Sequence, residues 1–306
     1  MENAAPPAFD GFHANNDNGV RPNTKETSHR LVRQPLTLRF LGEMSVTRHG
    51  AAVLLPPSKK TRALLAYLAV TGRAHTRDRL CSLLWDVADD PRAALRWSLS
   101  RLRPLVDEPE RTRLEADRQS VRFKGEDAIV DVLDAHRRLA AGLDALDTAG
   151  LRRQAAEFRG DFLEGLDLTD FHAFQAWCVA ERETARKARA ATLSALLRRI
   201  ESDPAEAIPC ARTLVQVDPL ATAPRLDLIR LLLGGGHDQE ARHHYETGLT
   251  LLSELGPDQG ADLARGWSAL RAGRGGAPAP EAAAGRISRE PRRGDGESDS
   301  HAARFP

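Results

Sequence analysis

The first ordered pattern in the chain is an alternation. Leu36, Leu38 and Phe40 are apolar while Thr37 and Arg39 between them are polar, and shorter apolar pairs follow up to Pro56. Period two predicts strand, and RHG at 48–50 supplies a turn, so LTLRFLGEMSVTRHGAAVLLP (36–56) is expected to form two or three short antiparallel strands. Past Pro56-Pro57 the period becomes helical. Ser58 is placed to cap a helix with Leu64, Leu65, Leu68 and Ala69 on its buried face, and Gly72 stops it. Thr76 caps a second helix, with Leu80, Leu83, Leu84 and Trp85 as its apolar side. Asp90-Pro91 opens a third, and Pro91 suits its first turn. That helix, RAALRWSLSRLR (92–103), puts Leu95, Leu99 and Leu102 on one stripe and Arg96, Trp97, Ser100 and Arg101 on the other side. Two short strands, Thr112–Glu115 and Ser120–Phe123, close the segment around the polar tip ADRQ.

From about residue 131 the pattern is almost wholly helical. DVLDAHRRLAAG, LRRQAAEFRG and the long DFHAFQAWCVAERETARKARAATLSALLRRIES carry apolar residues three and four apart, the last with Phe174, Trp177, Cys178, Leu193, Leu196 and Leu197 on its inner side. EAIPCARTLVQVDP and QEARHHYETGLTLLSELGP then align with Ala207 against Ala241, 34 residues apart, each followed by a proline, Pro219 or Pro257. ATAPRLDLIRLLLGGG lies between them as a partner helix. That period is the one of tetratricopeptide repeats, whose concave surfaces bind partners. Residues 1–34 and 272–306 lack a period and enough apolar surface, and are expected to be a disordered leader and tail around a body at 35–271.

Strands, three helices and a terminal hairpin make a winged helix-turn-helix. The fold class expected is therefore mainly α, an α+β winged helix at 35–125 followed by an all-α tetratricopeptide-like domain at 130–271. In a winged helix the third helix enters the major groove and the hairpin lies along the flanking backbone. Charge agrees with this placement. The whole chain is close to neutral at +1, yet residues 58–124 hold fifteen basic and nine acidic side chains, about +6. Arg96 and Arg101 are candidates for bidentate bonds to guanine, and Ser100 for a base edge or phosphate. Trp97 suits a sugar or a thymine methyl, or equally a lid over the wing or a neighbouring subunit. Arg92 and Arg103 at the flanks suit phosphate, as do Lys59, Lys60 and Arg62 at a helix start. Thr76, Arg77, Arg118 and Arg122 complete the candidate contacts to the DNA backbone and from the wing. An ordinary solvated face also fits any one of these residues.

Catalytic chemistry finds no foothold in the pattern. The chain has no GxxxxGK[ST] and no GxGxxG after a strand, and GGG at 234–236 reads as a turn between helices. His243 and His244 are adjacent and cannot share a helix face, and Asp161 with Glu164 has no nearby nucleophile or base. Cys81, Cys178 and Cys210 stand far apart, as small buried residues do. No enzyme activity, catalytic residue, metal or cofactor is expected. No apolar run approaches the roughly 18 residues that would cross a bilayer, and no signal segment is visible, which predicts a cytoplasmic, nucleoid-associated protein without membrane contact.

The blocks SKKTRALLAYLAV, TRDRLCSLLWD and PRAALRWSLSRLRPLV, then VDVLDAHRRLA, FRGDFLEGLDLTDFHAFQAWCVAERE and DPLATAPRLDLIRLLLGGGHDQEARHHYETG, follow one another in a known order. Over about 36–256 the chain resembles bacterial activators of the antibiotic regulatory protein type. These pair a winged helix of the response-regulator kind with a bacterial transcriptional activator domain of tetratricopeptide-like helices. The resemblance implies a regulator of actinobacterial type, often of secondary-metabolite genes, that binds direct repeats in double-stranded DNA near promoters as a dimer and recruits RNA polymerase. It is to the short form of the family, or to a truncated long one with an ATPase module. Trp97 stands where the family would lead one to expect a smaller polar residue. A helical interaction scaffold with a degenerate winged helix is the other reading.

Overall fold

The computed structural model describes residues 35–275 apart from Val87, Pro257 and Gln259, so the expected leader at 1–34 and the tail from 276 lie outside the described residues. The chain divides into two compact units between Ala195 and Leu196.

The alternation at the start of the first unit becomes strand β1 (Thr37–Arg39), followed by β2 (Gly42–Glu43), β3 (Ser45–Arg48) and β4 (Ala51–Val53). β1 and β3 pair antiparallel with Leu38 opposite Val46, and β4 continues the meander after a turn in which Gly50 takes φ 81°. The fourth strand of this sheet comes from far along the chain. β8 (Ile129–Val130) pairs parallel to β1, giving the order β4-β3-β1-β8. β9 (Phe162–Glu164) likewise pairs parallel to β2. A parallel pair needs a long crossover, so neither of these short partners, two and three residues long, has a local signature.

The caps fall where the sequence puts them. Ser58 Oγ accepts the Thr61 N–H at the start of α1 (Lys59–Thr71), and Gly72 ends it in the left-handed conformation at φ 63°. Thr76 Oγ1 accepts the Arg79 N–H to open α2 (Arg77–Leu84). Asp90 accepts the Ala93 N–H to open α3 (Pro91–Val106). α3 runs three residues past the expected end, through Pro104, because Leu105 and Val106 are buried and Arg48 Nη1 donates to the Pro104 carbonyl at 2.9 Å. α1 is buried on every side from Ala63 to Val70 and forms the centre of the unit. Leu64, Leu68, Leu80, Leu95 and Leu102 meet Leu114, Val121 and Phe123 in one core.

The hairpin consists of β6 (Leu114–Ala116) and β7 (Ser120–Phe123), with β5 (His75–Thr76) on the far side of β7. α4 (Asp131–Ala141), α5 (Thr148–Glu157) and α6 (His172–Ile200) follow. Asp131 ties this stretch back to the first strand. Its buried carboxylate accepts the Phe40 N–H at 2.8 Å and the Leu41 N–H at 3.0 Å.

His75 illustrates how closely the core holds its polar members. Its Nε2 lies 2.7 Å from Thr71 Oγ1 and its ring 4.8 Å from that of Tyr67, which in turn meets Trp177 edge-on at 5.0 Å. Burial lowers the imidazole pKa from its ordinary 6.5, with Arg73 and Arg79 adding to the shift. The unfolded chain therefore binds a proton that the native state refuses in the window below 6.5, and stability is lost as pH falls through it. Urea midpoints at pH 7.5 and 5.5 should show this drop in the wild type and a smaller one in His75→Phe; equal drops would remove His75 as the cause.

The second unit is all helix among its described residues: α7 (Pro204–Val217), α8 (Thr222–Gly234), α9 (Asp238–Ser253) and α10 (Ala261–Gly275). α10 carries regular structure four residues beyond the expected limit at 271. α7 packs on α8, α8 on α9, and α10 on both α8 and α9. Ala207 and Ala241, the pair 34 residues apart, are both fully buried. Arg225 on α8 is 3% exposed and donates to the carbonyls of Pro219 at 2.7 Å and His244 at 3.3 Å. A Cβ at Gly248 would stand 2.3 Å from its Cδ, so glycine there makes room for the arginine stem. No helix of the described residues is long and apolar enough to cross a membrane.

Candidate nucleic-acid interface

The α3 helix presents one apolar and one polar half. Leu95, Ser98, Leu99, Leu102, Leu105 and Val106 are buried, while Arg92, Arg96, Trp97, Ser100 and Arg101 are exposed and Arg103 is half-buried. At 3.6 residues per turn the outward set occupies about half of the helix circumference. Ser98 is buried because its hydroxyl pairs with that of Thr61 at 3.0 Å, which fixes the rotation of α3 on α1.

Most of the outward arginines have acidic neighbours. Arg92 donates to Asp78 at 2.8 Å, Arg96 approaches Asp90 at 4.0 Å, and Arg103 approaches Asp107 at 3.5 Å. Arg101 instead lies over the Trp97 ring, 5.2 Å from its centroid. Ser100 Oγ donates back to the Trp97 carbonyl at 2.7 Å, so its proton serves its own helix and its oxygen faces outward as an acceptor.

The hairpin is built to hold its tip. Asp117 accepts the N–H groups of Ser120 and Gln119 at 2.6 and 2.7 Å and the Ser120 hydroxyl at 3.0 Å, and these bonds hold its carboxyl below the usual range. Arg77 Nε donates to the Asp117 carbonyl at 2.8 Å, which joins the start of α2 to the wing. Arg77 is therefore a tether as well as a candidate phosphate contact. Arg118 stands exposed at the tip, and Arg122 approaches Glu126 at 3.6 Å. Arg103, Arg122 and Ser120 border a groove of about 460 Å3 between the end of α3 and the outer face of the hairpin. Thr76, exposed beside it, uses its oxygen as the α2 cap and retains a hydroxyl proton to donate.

The residues at the start of α1 have other surroundings. Lys59 is exposed, but the Lys60 ammonium lies 4.2 Å over the Phe171 ring, and Arg62 lines a small cavity with Glu43, Met44, Glu164, Gly165 and Leu166. Neither side chain shares these neighbours with the outward face of α3. The structure thus brings Arg92, Arg96, Trp97, Ser100, Arg101 and Arg103 onto one helix face, with Thr76, Arg77, Arg118 and Arg122 along the adjoining hairpin.

One counted cation belongs to the interior. Arg113 is 2% exposed and donates to the Val106 carbonyl at 2.6 Å, Asp127 at 2.6 Å and Glu108 at 3.1 Å; Arg111 also pairs with Asp127. Burial opposes its charge, but the bonds to Asp127 and Glu108 outweigh this and raise its pKa, while Arg113 in turn lowers that of Asp127. Asp107 Oδ1 accepts the N–H groups of Arg113 and Leu114 at 2.8 and 2.9 Å. This network fixes the hairpin base to the end of α3. A basic residue next to Leu114 and close after Asp107 and Glu108 was its only trace in the sequence.

No protein-family model matches the chain, and no curated protein sequence matches it. Among solved structures, Mycobacterium tuberculosis EmbR, in complex with a low-affinity phosphopeptide, is similar at a TM-score of 0.55 and 22% identity. The match covers 79% of this chain and 69% of that one. At this identity the likeness is one of fold, and it shows that this chain and EmbR share their architecture over most of their length.

Proposed function

We propose that the chain is a sequence-specific DNA-binding transcriptional regulator, with α3 as the recognition helix and β6–β7 as the wing. The observation that carries this reading is the outward half of α3. Four arginines, a serine and a tryptophan share one face whose rotation is fixed from behind, next to a hairpin with cations of its own. Such a face suits the major groove, where arginine donors read guanine and flanking cations hold phosphate. The division of labour is the one expected from the sequence, DNA binding by 35–125 and partner contact by the helices of 130–271. Dimerisation on direct repeats, contact with RNA polymerase, an activating role and residence at the nucleoid follow from the family resemblance.

Fragments of genomic DNA selected by the purified full chain test this reading. A recurring short motif is expected, bound at least about a thousandfold more tightly than scrambled duplex. If Lys59, Arg77, Arg92, Arg103, Arg118 and Arg122 each neutralise one phosphate, log K should fall against log salt with a slope of about −5. Uniform weak binding with a shallow slope would reject the reading. The interaction-scaffold alternative draws on the exposure of Trp97, 47%, and predicts that weak pattern together with a stoichiometric protein complex.

A further inference from the structure

The outward face of α3 is electrostatically lopsided. Along one edge Arg92, Arg96 and Arg103 each approach a carboxylate, Asp78, Asp90 or Asp107. Along the other edge stand Trp97 and Arg101, one turn apart. Here the guanidinium carbon of Arg101 lies 5.2 Å from the indole centroid, and no carboxylate of the described residues pairs with it. A cation over a ring face is attracted by the ring's charge distribution, which holds the guanidinium near the indole without supplying a carboxylate to its N–H groups. The neighbouring carboxylates compete for the other three arginines, whereas among the described residues none competes for the donors of Arg101.

We propose that Trp97 and Arg101 form one recognition unit for a thymine–guanine step, 5′-TG-3′, in the major groove; the proposal rests on the DNA-binding reading of α3. The two Nη groups of Arg101 donate to guanine O6 and N7. The 5-methyl of the adjoining thymine packs against the apolar surface of the indole. The spacing limits the unit to neighbouring bases. Base pairs rise by about 3.4 Å, so two groups centred 5.2 Å apart span one step and fall short of two. Arg101 is the specificity-determining residue, and Trp97 acts as the positioning residue that also supplies the apolar contact.

The test uses the full chain and a library of duplexes with a randomised centre, followed by anisotropy titrations on the enriched sequence. The enriched sequence should contain TG. Thymine-to-uracil replacement in that step removes only the methyl and should weaken wild-type binding about fourfold. Replacement of the guanine by 7-deazaguanine removes N7 and should weaken it about tenfold or more. Trp97→Ala should bind the thymine and uracil duplexes alike, and Trp97→Phe should restore most of the difference, a rescue that a merely structural role would not produce. Arg101→Ala should become indifferent to 7-deazaguanine. The proposal is overturned by an enriched sequence without TG, by wild-type indifference to uracil, or by Trp97→Ala that keeps the uracil penalty. It is also overturned if Arg101→Ala weakens enriched and scrambled duplexes equally, since that is a phosphate contact. Absence of any enriched sequence defeats the DNA-binding reading itself; an enriched sequence that depends on Arg96 but ignores uracil and Trp97 defeats this inference alone.

Discussion

Replacing Arg113 by alanine lowers the unfolding free energy by about 3–5 kcal/mol, the usual cost of removing one partner from a buried ion pair. The side chain is 2% exposed and serves the Val106 carbonyl, Asp127 and Glu108 together. Alanine leaves the Val106 carbonyl and Glu108, only 14% exposed, without this donor, and leaves Asp127 with Arg111 alone. Asp127 is 30% exposed and recovers some hydration, which favours the lower end of the range. Arg113→Lys keeps the charge but loses the planar fork, so it should fall between wild type and alanine. Urea unfolding of the three proteins measures the order. A loss below about 1 kcal/mol for alanine would mean that water replaces the guanidinium without strain, and the hairpin base would have to be held by Asp107 alone.

The double variant Arg96→Ala, Arg101→Ala should lose most discrimination between selected and scrambled duplexes while still binding DNA. Each bidentate arginine–guanine pair contributes about 1–3 kcal/mol of discrimination, so two removed together amount to about 2–6 kcal/mol. Alanine preserves the helix, and Asp90 keeps its cap on the Ala93 N–H, so the scaffold of α3 is untouched. Nonspecific affinity should change far less, because the flanking cations and the wing remain. Competition titrations with both duplexes read the two effects separately. A double variant with wild-type preference would remove α3 as the reading helix.

The features legible in the sequence were those set by neighbours along the chain. Ser58 and Thr76 cap the helices the sequence assigns to them, and Asp90, placed at the opening of the third, caps that one, because an N-cap needs only its own side chain and an N–H three residues on. The polar and apolar halves of α3 followed from its period. What depended on distant residues was not legible. β5, β8 and β9 are two or three residues long and exist through partners elsewhere in the chain. The hairpin strand expected from Thr112 begins at Leu114, because the Asp107 carboxylate takes the N–H groups of Arg113 and Leu114. Arg113 counts among the basic residues of 58–124, and its residue type does not reveal a half-buried carboxylate fourteen positions away. Lys60 and Arg62 looked like helix-start cations for the same reason; Phe171 and Glu164 are the neighbours that only the fold supplies.

The grip of Asp131 and β8 on the first strand bears on how the chain can be divided. A fragment cut at residue 125 would contain every residue assigned to the groove and the wing, yet it would expose the β1 edge that β8 covers and leave the Phe40 and Leu41 amides without their acceptor. Such an edge is a template for pairing with other chains. The unit that reads DNA and the unit that folds therefore differ in extent, and any transplant of this reading head into another protein has to carry the segment through Asp131 with it.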